Sequence, residues 1–169
     1  MYTKLLEEET ARLRGELVEE RIECEVSIKV PSYLPEDYVS DVHLRLAMYK
    51  RIADAADNAE IEQLREELVD RFGRLPRAVE NLLEIVSLRR WAEKLRIRKI
   101  EASGDHLAFE FDDTTPVTPA KLVQLVSANA QSLSMTPEGK LYQKTSGLSE
   151  DTVFEHLRRG LQRLSDYAS

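Results

Sequence analysis

The sequence predicts an α+β fold: helices packed on a small, mainly antiparallel sheet in a single compact domain. Two observations carry this. The apolar residues follow the helical period through most of the chain but switch to a period of two from Ile22 and in short runs after Ile97. The order also runs from helices with one strand to strands mixed with helices, the sequence of an α+β domain. At 169 residues, 42% of them hydrophobic and 33% charged, the chain is long enough for one domain with a real core.

Residues 2–18 read as a helix, with Leu6, Leu13 and Leu17 on one side, Glu7, Glu8, Arg12 and Arg14 outside, and Gly15 weakening the last turn. Over residues 22–30, Ile22, Cys24, Val26, Ile28 and Val30 alternate with Glu23, Glu25, Ser27 and Lys29, the cleanest strand pattern present. Pro31 and Pro35 bracket an irregular link. Asp41 stands where an N-cap belongs, ahead of a helix marked by Val42, Leu46, Tyr49 and Ile52. Asp57 and Asn58 break the chain before a helix whose stripe is Ile61, Leu64, Leu68 and Phe72. Gly73 stops that helix, since a left-handed cap needs no side chain. Pro76 can sit in the first turn of the next helix, where its missing N–H costs nothing. This helix runs to about Lys94, and its apolar face drifts from Val79, Leu82, Leu83 and Val86 to Leu88, Trp91 and Leu95. It is expected to pack on two neighbours at the centre of the fold.

Residues 97–102 and 107–111 read as strands joined at Ser103-Gly104-Asp105. The DDTTPVTP stretch then leads into a helix over residues 119–128. Residues 133–135 and 141–144 flank Pro137-Glu138-Gly139 as a second hairpin, and Ser149 is expected to cap a last helix with Val153, Leu157, Leu161 and Leu164 in one stripe. No internal repeat or low-complexity tail interrupts this order.

Composition narrows the chemistry. The formal charge of -7 disfavours phosphate backbones as partners of the whole chain and favours basic proteins. No apolar run reaches membrane-span length, and Met1 leads into the acidic LLEEE segment rather than a secretory signal, so a cytoplasmic protein without membrane contact is expected. The single cysteine leaves no internal disulfide and no paired-cysteine metal cluster. None of the six glycines forms GxxxxGK[ST] or GxGxxG, the loops that aim backbone N–H groups at phosphate. His43, His106 and His156 are far apart in sequence and belong to no HExxH pair, so surface or structural roles are expected. Asp112 and Asp113, beside Thr114, Thr115 and Pro116, fit a turn better than a metal site. A hydrolase built on those carboxylates and a histidine would need distant residues to converge. Cys24 fits a buried small hydrophobe. No catalytic residue, cofactor or metal is expected.

Two charged features remain. Arg89, Arg90, Lys94, Arg96, Arg98 and Lys99 form a basic stretch that reads either as a solvated helix end or as the footprint of a nucleic-acid-binding accessory domain, with Trp91 better placed in the core. Opposite the Ile61/Phe72 stripe, at roughly 100° per residue, Gln63, Glu66, Glu67 and Asp70 share an acidic outward face. Glu67 can pair with Arg71 four residues on, but Glu66 and Asp70 are like charges at that spacing, which local stability does not explain. An exposed acidic helix of this kind is a candidate protein-binding face.

Two segments, PEDYVSDVHLRLAMYKRIA and EELVDRFGRLP, followed by LRIRKIEA, resemble the C-terminal domain of the bacterial transcription-repair coupling factor family, Mfd. The proline-rich link, Arg45-Leu46, Tyr49-Lys50-Arg51 and the Asp-Arg-Phe-Gly helix end appear in order. The resemblance covers nearly the whole chain, most clearly residues 28–102. It implies a C-terminal regulatory domain over residues 1–169, with an opening helix and strand to residue 30, a helical part over 31–96 and an α+β part over 97–169. Family members are ATP-driven double-stranded DNA translocases that act on stalled RNA polymerase and recruit UvrA through an N-terminal UvrB-like module. By resemblance this domain packs on that module, masks its UvrA-binding surface and restrains the motor. The matching contact positions are Glu67 and Asp70, which would face arginines on the module. Walker and helicase motifs are absent here, so the resemblance implies a non-catalytic fragment that meets UvrA and RNA polymerase indirectly. The acidic surface and the absence of a heptad repeat favour a monomer, and the net charge of -7 disfavours direct nucleic-acid binding.

Overall fold

The computed structural model describes residues 22–168. Among them lie β1 (Glu25–Ser27), α1 (Val42–Asp54), α2 (Asn58–Phe72), α3 (Arg77–Lys94), β2 (Ile97–Ser103), β3 (His106–Phe111), α4 (Pro119–Ala128), β4 (Leu133–Met135), β5 (Leu141–Lys144) and α5 (Val153–Ala168). The helix expected over residues 2–18 lies outside the described residues. The five helices pack with an open, mixed sheet in the order β1-β2-β3-β5-β4, the α+β architecture that the sequence predicts.

Among the described residues only the β1–β2 pair is parallel, with Val26 opposite Ile100. The ladders β2–β3, β3–β5 and β4–β5 are antiparallel. The expected strand over residues 22–30 is a ladder only across Glu25–Ser27. Its alternation nonetheless holds at the core: Cys24 is buried, and Val26, Ile28 and Val30 pack half-buried against the same cluster. Periodicity registers a buried face; the ladder ends where β1 diverges from β2, which itself continues two residues past each end of the pairing.

Two apolar clusters meet in α3. Val79, Leu83 and Val86 join Leu34, Met48, Ile52, Ile61, Leu64 and Leu68. Ile85, Leu88, Ala92 and Leu95 join Ile100, Leu107, Phe109, Leu141, Leu157 and Leu161 beneath the sheet. Each fully buried aliphatic side chain contributes about 1.5–3 kcal/mol of transfer free energy, so a helix serving both clusters couples them. The drift of its apolar face along the sequence is the cause.

The helix ends follow local chemistry. Asp41 Oδ1 accepts the Leu44 N–H at 3.0 Å, and Thr118 Oγ1 accepts that of Lys121 at 3.3 Å, ahead of Pro119. Pro76 stands one residue before α3 rather than inside it, and its carbonyl accepts from Val79 and Glu80. Ser149 also differs from expectation. Its carbonyl accepts from Val153 at 2.9 Å, while its hydroxyl pairs with that of Thr152, so α5 opens after a tight turn.

Candidate functional site

The acidic face belongs to α2, and both ends of that helix are fixed. At the start, Asp57 Oδ1 accepts the Glu60 N–H at 2.9 Å as an N-cap, and the Glu60 carboxylate reaches back past Asp57 to accept the Ala56 N–H at 2.8 Å, a variant of the capping box. At the end, Gly73 has φ +90° and donates its N–H to the Val69 carbonyl at 2.9 Å. The Tyr38 hydroxyl lies 2.9 Å from the Gly73 carbonyl and 3.1 Å from that of Leu68, and its ring packs on Phe72 with centroids 5.7 Å apart. Ile61, Leu64 and Leu68 are buried below. These anchors hold the opposite face in one orientation.

That face carries the four residues the sequence singles out. Gln63, Glu66 and Asp70 are exposed; Glu67 is half-buried. Glu67 departs from its expected partner: it pairs with Arg51 of α1, while the Arg71 guanidinium lies 5.3 Å from the centre of the Phe72 ring. Arg51 belongs to another element, so spacing along α2 could not reveal it. Glu66 and Asp70 thus remain as exposed carboxylates on a rigid helix, next to Val69, which is 46% exposed. Such a surface can accept guanidinium or ammonium groups through charge-assisted hydrogen bonds around a small apolar contact.

The basic stretch divides instead of forming a plate. Arg90 donates to the carbonyls of Ala55 and Ala53 at 2.7 and 2.5 Å and to Glu93 at 2.6 Å, closing the end of α1. Glu93 in turn accepts the Cys24 N–H at 3.0 Å. Arg96, with φ +55°, reaches Thr114 beside Asp112. Lys94 and Arg98 stay exposed. Trp91 packs against the core, as its apolar spacing predicts, and its indole N–H donates to Ser165 at 2.8 Å.

Asp112 forms the expected turn, accepting the Thr114 N–H at 3.0 Å; the Thr114 hydroxyl, the Thr114 N–H and nearby arginines hold its carboxyl below the usual range. His43, His106 and His156 sit on α1, β3 and α5, and among the described residues no three His, Cys, Asp or Glu side chains converge on a cation site. Cys24 is buried, and desolvation, reinforced by Glu93, pushes its thiol up to about 12. No helix among the described residues is long and apolar enough to cross a membrane.

Comparison with known proteins adds identity to this geometry. Residues 28–122 match the family model of the TRCF domain. The chain is 34% identical over 169 residues to a transcription-repair-coupling factor of Myxococcus xanthus, covering 99% of this chain and 14% of that protein. With the protein of the same name from Escherichia coli strain K12 it shares 38% over 147 residues, 86% of this chain and 13% of the relative. A crystal structure of the C-terminal domain of transcription-repair coupling factor superposes with a TM-score of 0.74 at 22% identity, covering 89% of this chain and 96% of that one. The chain thus spans about 14% of the first of these relatives.

Proposed function

The chain belongs to the transcription-repair coupling factor family, and on that footing we propose that it is a regulatory interaction domain whose acidic α2 face docks on the UvrB-like module of its parent protein. The observation that carries this reading is the presentation of Glu66 and Asp70, exposed beside Val69 on a helix capped at both ends. Glu67, held by Arg51, stands at the edge of the same surface and completes its negative field. Family resemblance supplies the identity of the partner; charge complementarity supplies the reason for contact.

In this reading the domain masks the surface through which the module recruits UvrA and restrains an ATP-driven DNA translocase whose machinery lies outside these residues. It meets RNA polymerase and UvrA only through the parent protein, in the cytoplasm, and acts as a monomeric unit without a cofactor. Residues 1–169 form the C-terminal regulatory domain. Contacts made through exposed charges can be tight enough to hold a closed state yet open when the motor engages DNA and polymerase, because that engagement need favour the open state by only a few kcal/mol.

The test is a titration of this chain against the separately produced UvrB-like module at low and high salt, with the Glu66→Arg, Asp70→Arg variant alongside. Both substitutions leave the Arg51–Glu67 pair intact. Saturable, salt-sensitive binding that weakens at least about tenfold on reversal is expected. Binding unchanged by the reversal would move docking off this face, and no binding would remove the masking role.

A further inference from the structure

Glu67 stands on the acidic α2 face, yet it already holds a cation of its own chain. Arg51, in the last turn of α1, donates from one guanidinium nitrogen to Glu67 Oε2, in a pair whose side chains are 50% and 35% exposed. The same nitrogen lies 3.8 Å from the sulfur of Met48, which is buried in the cluster beneath, so the arginine rests on packed structure with its tip beside the carboxylate. Arg71, the cation that spacing along α2 offers, lies against the Phe72 ring instead. Arg51 is therefore the guanidinium that Glu67 carries into any encounter.

A carboxylate binds an incoming guanidinium best through two parallel N–H···O bonds, one to each oxygen. With Oε2 occupied, Glu67 offers a second guanidinium a single oxygen, and the two cations would repel each other across it. The full fork forms only when Arg51 withdraws. Withdrawal is easy, because half of the arginine side chain already faces solvent and a cation in the last turn of a helix is favoured by the C-terminal dipole without any carboxylate. A solvent-screened pair is also weak, so a partner can exchange it.

We propose that Arg51 is a built-in competitor for the docking partner: on docking, Glu67 exchanges the Arg51 guanidinium for one brought by the partner, and on release it takes Arg51 back. This rests on the docking of the α2 face proposed above and adds how that contact is kept reversible. An ion pair given up within the chain is replaced by one across the interface, so Glu67 orients the partner while contributing little net affinity. Arg51 thereby sets the strength of docking without touching the partner in the docked state.

The experiment titrates the full chain against the separately produced UvrB-like module as wild type, Arg51→Met, Glu67→Gln and the double variant, with melting temperatures measured alongside. Arg51→Met is expected to bind roughly two- to fivefold tighter than wild type. The gain is expected to vanish in the Glu67→Gln background, where there is no carboxylate to free. Arg51→Gln, which is neutral but keeps a donor for Glu67, should fall between wild type and Arg51→Met. An equal gain with and without Glu67 would trace to net charge alone and overturns the proposal, as does unchanged or weaker docking by Arg51→Met. Wild-type docking that Glu66→Arg, Asp70→Arg weakens but Arg51→Met leaves alone keeps the α2 face as the docking surface and sinks only the exchange. Absence of wild-type docking sinks both.

Discussion

Arg51 on α1 pairs with Glu67 on α2, sixteen positions along the chain and across the turn between the helices. The pair ties the acidic helix to its neighbour and removes Glu67 from the set of unengaged carboxylates. Glu66 and Asp70 remain exposed on α2.

Arg51→Met should therefore act weakly on stability. The two side chains are 50% and 35% exposed, and a solvent-screened pair of this kind contributes about 0.2–1 kcal/mol. Thermal unfolding should show a shift of only a few degrees, smaller still at high salt. A large loss would mean that the pair holds α2 in place rather than trimming its charge.

Glu93→Ala should be far more damaging. Its carboxylate accepts from Arg90 and from the Cys24 N–H, while Arg90 also closes the end of α1, so one substitution loosens α1, α3 and the approach to β1. The Arg90 and Glu93 side chains are 12% and 10% exposed, and breaking a buried pair by removing one partner costs about 3–5 kcal/mol. Urea unfolding should register it, and Glu93→Gln, which retains an acceptor, should recover part of the loss.

Gly160→Ala tests how closely α5 lies on the sheet. The new Cβ would stand 2.6 Å from Gln143 Oε1 and 2.8 Å from Phe109 Cζ. Overpacking of a filled interior costs about 1–3 kcal/mol, so a helix-favouring substitution should lower the denaturation midpoint. A rise would show that both neighbours give way easily.

Cys24 supplies a pH prediction. Desolvation, with Glu93 adding, raises its thiol from 9.0 to about 12, so the folded state holds the proton longer than the unfolded chain does. Its contribution to stability is complete below pH 9 and fades as pH rises from 9 to 12. Melting temperatures should fall over that window, less steeply in Cys24→Ala. Iodoacetamide at pH 8 should alkylate the folded protein slowly and the denatured chain readily.

Among the described residues, the sequence by itself determined most of the elements, their buried faces and the acidic surface, though it overran β1, which is a ladder only across Glu25–Ser27. Helix α4 and strands β4 and β5 occupy the spans that turn residues and period predict, because proline, glycine and N-cap side chains act within a few residues of themselves. The split role of α3 was legible too, since a drifting apolar stripe is local information. The face of Gln63, Glu66, Glu67 and Asp70 followed from the Ile61-to-Phe72 stripe on the other side.

Only the tertiary structure decided which groups meet. The parallel pairing of β1 with β2, the capture of Glu67 by Arg51, the commitment of Arg90 to the end of α1 and the unpartnered Gln143 oxygen all join residues far apart in the chain. The physical reason is one of range. Capping and periodicity are written in neighbours at fixed spacing, whereas a salt bridge, a ladder or a groove depends on where packing brings distant elements, and a charged residue looks the same in sequence whether it faces solvent, a carbonyl or a partner.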